Sequence, residues 1–159
     1  MTIDAVLPVL QKHPFVAGIE AAQLERLAPI AKVVTFSPGQ IVFHEGEASS
    51  AFYLIVTGRV ALEIASPGHD FRVETLSAGD EFGWSSILAG RGKLFQARAL
   101  EPVEALAFDG ADLRALCESD PKFGYALMLR LLGVVSERLQ ATRLQVLDIY
   151  WTPAKRAGA

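Results

Sequence analysis

Gly79-Asp80-Glu81-Phe82-Gly83-Trp84-Ser85-Ser86-Ile87-Leu88, followed by Arg91-Gly92-Lys93 and Ala97-Arg98-Ala99, is the stretch of this chain best equipped for chemistry. Gly79 and Gly83 allow the backbone to approach a bound group closely. Ser85 and Ser86 open a short helix, whose first N–H groups and hydroxyls suit an anion. Lys93 stands just before a strand and brings a positive charge. This combination serves the holding of a small anion, phosphate above all, and not the breaking of bonds. The cassette covers residues 79–99, and Asp80, Phe82, Arg91 and Leu94 complete its candidate lining.

Other chemistries lack their residues. His13, His44 and His69 are far apart and none belongs to a His-x-His pair, so a metal-binding β-roll is not expected. Asp and Glu are scattered. Cys117 is the single cysteine, which excludes a disulfide within the chain and a cysteine-ligated cluster. It falls on an expected capping helix, where it serves as a small buried apolar residue. The expectation is a cytoplasmic, non-enzymatic chain that requires no cofactor or metal. A net charge of -3 argues against DNA as a partner. No apolar run reaches the roughly 20 residues that cross a bilayer, and no signal peptide is recognisable at the N-terminus, so no membrane association is expected.

The elements that must carry the cassette follow from hydrophobic period. At 159 residues and 51% hydrophobic, the chain has ample material for one core. Residues 1–29 read as a short helical segment, with Pro8 interrupting its first part and Pro29 limiting its second. From Ala31 the period falls to two. Val34 and Phe36, Ile41 and Phe43, Phe52 to Val56, Val60 to Ile64, Phe71 to Leu76, and Val103 to Phe108 alternate between glycine-containing turns. Many short strands over 30–108 imply an α+β chain built on a jelly-roll. After Asp109 the helical period returns over 109–150. Asp109 is an expected N-cap, and Asp120-Pro121 opens a second helix of about 28 residues, roughly 42 Å long, with 151–159 as its tail.

That long helix carries a seam. Met128, Leu132, Val135, Leu139, Thr142, Val146 and Ile149 follow at spacings 4, 3, 4, 3, 4, 3, the pattern of a helix that pairs with another copy. A second stripe, Leu127, Leu131 and Val134, faces elsewhere and is expected to cover the β-roll. The alternative is a single amphipathic helix lying wholly on its own domain.

Short helix, roll with cassette, capping helix and long seam helix, in that order from Phe15 to Ile149, resemble the cyclic-nucleotide-binding domain of the catabolite-activator and Fnr superfamily. Pro38-Gly39, Glu45-Gly46-Glu47, the hairpin Phe52 to Gly58, and Gly79-Asp80 support the resemblance. It implies an eight-stranded jelly-roll (a double-stranded β-helix) with a phosphate-binding-cassette helix and a C-terminal dimerisation helix. It also implies a cyclic phosphate, as in cyclic AMP or cyclic GMP, held by backbone N–H groups, an arginine and a ribose-binding glutamate. Here Trp84 stands at the glutamate position, and Lys93 at the arginine position. Lysine keeps the charge but loses the bidentate fork. Each lost charged hydrogen bond is worth about 1.5–3 kcal/mol, or roughly 10- to 100-fold in affinity. The loop is one residue shorter than is usual, and Arg91 lies close enough to substitute. Leu94 and Phe95 make the expected pocket floor more apolar. Leu139-Gln140-Ala141-Thr142 resembles the segment whose Thr meets the purine across the dimer, and Arg143 adjoins it. The resemblance implies a regulatory domain without a DNA-reading helix-turn-helix, signalling through its C-helix as a homodimer to a protein partner that the sequence does not name. The second expectation is an interaction module that kept the fold and lost the ligand.

Overall fold

The two-residue period that begins at Ala31 becomes a pair of sheets. The computed structural model describes residues 2–48, 50–88, 90 and 92–157. Among these, β1 (Ala31–Phe36), β2 (Ile41–Phe43), β3 (Ala51–Thr57), β4 (Val60–Ser66), β5 (His69–Leu76), β6 (Glu81–Phe82), β7 (Gln96–Ala99) and β8 (Val103–Asp109) form two antiparallel four-stranded sheets. Their orders are β1-β8-β3-β6 and β2-β7-β4-β5. This is the expected α+β jelly-roll. Ile55, Val60, Leu62, Phe82 and Ala97 fill the core. Alternation sends Ala97 and Ala99 to that core and leaves Gln96 and Arg98 for the opposite face. There Arg98 bonds to Glu63 at 2.9 Å and to Asp70 at 3.2 Å.

The chain divides into two units, Met1–Tyr125 and Ala126–Ala159. The first begins with α1 (Val6–Lys12) and α2 (Ala21–Leu27). Pro8 does not interrupt α1. It sits in the first turn, where its missing N–H would have had no intrahelical partner. The N-terminal segment is bonded to the sheet by His13. Its Nδ1 accepts the Phe15 N–H at 3.3 Å, so the proton lies on Nε2, which donates to the Ile55 carbonyl at 2.9 Å. This ring is buried, and desolvation lowers its pKa against the opposing effects of the Ile55 bond and Asp80.

After the roll, α3 (Gly110–Ser119) starts as expected at Asp109, whose carboxylate accepts N–H groups from Ala111 and Asp112. α4 (Pro121–Ala157) starts at Asp120, which accepts the Phe123 N–H at 3.1 Å and pairs with Arg26 at 2.8 Å. The helix is 37 residues long. It continues through Pro153, where the sequence suggested a tail.

The second unit is the body of α4. Its two stripes differ in exposure except at Val134, which is half-buried like its seam neighbour. Leu127 and Leu131 are buried, whereas Met128, Leu132, Leu139, Val146 and Ile149 are exposed and Val135 is half-buried. Among the described residues no helix is long and apolar enough to cross a membrane.

Candidate anion site in the cassette

β5 ends at Leu76, and the turn that follows delivers the chain to the cassette. Asp80 closes this turn on itself: its carboxylate accepts the Ser77 N–H at 2.8 Å. Gly79 donates to the Ile55 carbonyl at 3.0 Å, and a Cβ there would lie 3.1 Å from Pro14. Phe82 is completely buried and stacks on Tyr53 at 4.6 Å between ring centroids. These three expected lining residues therefore build the turn and its anchor in the core. The Asp80 carboxylate is engaged within the turn.

Gly83 is the pivot. Its φ of +80° is a left-handed conformation, and a Cβ would come within 2.6 Å of the Ala51 carbonyl. Only glycine fits both conditions. It starts a 3₁₀ turn, Trp84–Ile87, in which Trp84 is half-buried while Ser85 and Ser86 are buried. The sequence suggested free hydroxyls at both serines. The Ser86 hydroxyl instead donates to the Gly83 carbonyl at 2.8 Å, and the Ser86 carbonyl accepts from Arg114 on α3 at 2.8 Å. The tight turn brings that hydroxyl back onto its own backbone, so Ser86 holds the cassette's shape.

Lys93 is a buried cation of the cassette. It is buried to 5% exposure, in contrast to a solvated strand-start lysine. Its backbone is fixed on both sides, donating to Glu47 at 2.8 Å and accepting from Gly46 at 2.9 Å. Its Nζ donates to the Ala51 carbonyl at 2.9 Å and lies 4.4 Å over the Phe43 ring. The same Nζ is 3.1 Å from where a Gly83 side chain would begin. Burial lowers the ammonium pKa from 10.5 to about 8, against a smaller raising effect of Glu47. Neutral partners do little to compensate a desolvated charge. The cassette thus sets a buried cation beside a glycine-opened turn.

Leu94 is 51% exposed. Phe95 packs against the roll core instead. Arg91 lies outside the described residues. Thr142 and Arg143 belong to the second unit, where both are exposed on α4. Cys117 is half-buried, and burial raises its thiol pKa, so the thiolate is disfavoured. Among the described residues no group of three or more His, Cys, Asp or Glu is arranged to hold a metal. Sequence reading missed Phe43, Ala51 and Arg114. An apolar ring and a carbonyl carry no signal of a role, and Arg114 reads as an ordinary exposed helix position.

Residues 33–120 match the family described as the cyclic nucleotide-binding domain. The CRP-like cAMP-activated global transcriptional regulator of Mycobacterium tuberculosis is 26% identical over 145 residues, which are 91% of this chain and 63% of the regulator. The chain thus spans somewhat under two thirds of that curated relative. A Geobacter metallireducens protein provisionally described as cyclic nucleotide-binding is 29% identical, with a TM-score of 0.73 over 82% of this chain and 95% of that one. The catabolite activator protein of Thermus thermophilus is 25% identical, with a TM-score of 0.71 over 86% of this chain and 62% of that one.

Proposed function

We propose that this chain, which belongs to the cyclic nucleotide-binding domain family, is a non-enzymatic regulatory domain that binds a cyclic nucleotide or related small anion in its cassette and signals through α4. The observation that carries this reading is the buried Lys93 ammonium beside Gly83, held by a carbonyl and a ring face and not by a carboxylate. A protein that only needed to fill this space would do so at lower cost with an apolar side chain. Gly83, Ser85 and Lys93 are the expected contacts to the anion, with Trp84 offering an indole where a ribose-binding acid would stand. Thr142 and Arg143 on α4 are the proposed contacts to the base in a homodimer, and the helix would pass the change to a protein partner by population shift. The setting is cytoplasmic in this reading.

Calorimetry with cyclic AMP and cyclic GMP tests it. Binding with a Kd between micromolar and about 1 mM is expected, since two charged contacts are altered. No heat at several hundred micromolar ligand would count against it. One observation favours a second reading, a ligand-free interaction module: the Ser86 hydroxyl and the Lys93 amine already have partners within the chain. That reading expects no thermal shift with either nucleotide.

A further inference from the structure

Two cations in this roll are held in opposite ways. Arg98 is committed to two carboxylates, Glu63 and Asp70. Lys93 is committed to none of comparable closeness: its partners are the Ala51 carbonyl, the first residue of β3, and the face of Phe43, the last residue of β2. Both are neutral. A cation that has lost water to neutral groups gains more from an incoming anion than one already paired.

The anchoring of Lys93 says which part of it can move. Its N–H and carbonyl are bonded to Glu47 and Gly46, and the preceding Gly92 bridges to Ala48. The backbone is therefore pinned to the β2–β3 loop, and only the four-carbon stem is free to swing. At its far end the ammonium crosses directly over Gly83, 3.1 Å from the Cβ that glycine lacks. Among the described residues, Glu47 from the loop is the charged group that acts on it, and the Tyr53 ring, like the ammonium, lies beside Gly83; burial raises the Tyr53 pKa, so that phenol is neutral.

We propose that Lys93 is a two-position latch: in the position seen here its ammonium fastens the cassette to the start of β3 through Ala51, and an anionic ligand draws it off that carbonyl. The proposal rests on the anion-binding reading above and adds to it a mechanism of exchange. Release has a defined destination. Ser50, next to Ala51, accepts the Gly110 N–H at 2.9 Å, so the strand end that Lys93 lets go is bonded to the first residue of α3. The exchange also restricts the ligand. A neutral acceptor would only exchange one uncharged partner for another, whereas a phosphodiester or similar small anion also compensates the buried charge.

The experiment uses the full chain with its lysines labelled at 13Cε, the Lys93 signal being assigned by its loss in Lys93→Arg. Cyclic AMP is added while calorimetry is run in parallel with cyclic AMP, cyclic GMP and inorganic phosphate. The expected result is a Lys93 shift that saturates with the heat, a titration midpoint at least one pH unit higher in the complex, and binding weakened at least tenfold in Lys93→Met. Heat with an unmoved Lys93 signal overturns the latch and leaves anion binding standing, as does unchanged or tighter binding in Lys93→Met. No heat from any of the three anions, in wild type or Lys93→Met, removes the anion-binding reading and the latch with it. The Lys93 titration is read on the wild-type chain, so it decides the matter even where the Met variant fails to fold.

Discussion

His13 shows how much one ring can specify. Phe15 N–H requires an unprotonated Nδ1, and the Ile55 carbonyl requires a protonated Nε2, so a single neutral tautomer satisfies both. A second proton would face the Phe15 N–H. The pKa is lowered in the fold, chiefly by desolvation, so the unfolded chain binds the proton more readily. Stability from this residue is therefore complete above the ordinary imidazole value of about 6.5 and is lost as pH falls below it. The expected outcome is that wild type loses more thermal stability than His13→Gln between pH 7.5 and pH 5. Each unit of pKa difference corresponds to about 1.4 kcal/mol, or a difference in Tm of about 3–6 °C for a domain of this size. Parallel melting curves for the two proteins would refute the assignment. Lys93 makes the complementary point about legibility. The sequence marks it as the cassette's basic residue, but its partner Ala51 is 42 positions away and is a backbone carbonyl. No side-chain pattern encodes such a bond, and only the folded roll shows it.

At the scale of elements, the features visible in the sequence are those made locally. Asp109 and Asp120 cap the helices that they precede because the donors lie two and three residues on. Alternation placed the strands because a two-residue period needs no knowledge of the partner strand. The two-residue β6 and the actual course of α1 and α4 past Pro8 and Pro153 were less legible, since each depends on where in an element a residue falls. The junction between cassette and α3 was not legible at all. Gly110, the first residue of α3, lies so close to the cassette that a Cβ would be 2.1 Å from the Ser86 carbonyl oxygen, which also accepts from Arg114. Here helix propensity and packing oppose one another. Alanine in place of a helical glycine is worth up to about 1 kcal/mol, but forcing a methyl against a fixed carbonyl costs about 1–3 kcal/mol. Gly110→Ala is expected to lower the Tm, with packing winning. Gly133, on α4, has nothing within 4 Å of its missing Cβ. Gly133→Ala is therefore expected to stabilise by about 0.5–1 kcal/mol. The two substitutions are chemically identical, so thermal melts that move in the same direction would show that the contact at Ser86 does not decide the outcome.

For the molecule as a whole, the open question is what a long helix gains by exposing leucine. Met128 is 41% exposed, Leu132 64%, Leu139 69%, Val146 45% and Ile149 69% along the 4-3 seam, and Leu129, Leu144 and Leu147 are exposed beside it. Scattered exposed apolar residues are ordinary, but a periodic line of them along one helix marks a surface that another helix can cover. A second copy of this chain would present the same line. If it pairs there, each fully buried apolar side chain contributes about 1.5–3 kcal/mol, and every substitution counts once per copy. Leu139→Asp with Val146→Asp would then remove several kcal/mol and place charges in the seam, lowering association by more than about a hundredfold. The wild-type chain is expected to sediment as a dimer at tens of micromolar and the double variant as a monomer. The competing arrangement, a helix whose exposed face has no partner, expects something different from the same pair. Exposed substitutions away from packed features usually change stability by within about 0.5 kcal/mol, so mass and Tm would both stay where they were. Sedimentation equilibrium of the two proteins, read beside their melting curves, separates these outcomes. A wild-type chain that is already monomeric at that concentration would exclude pairing through the seam.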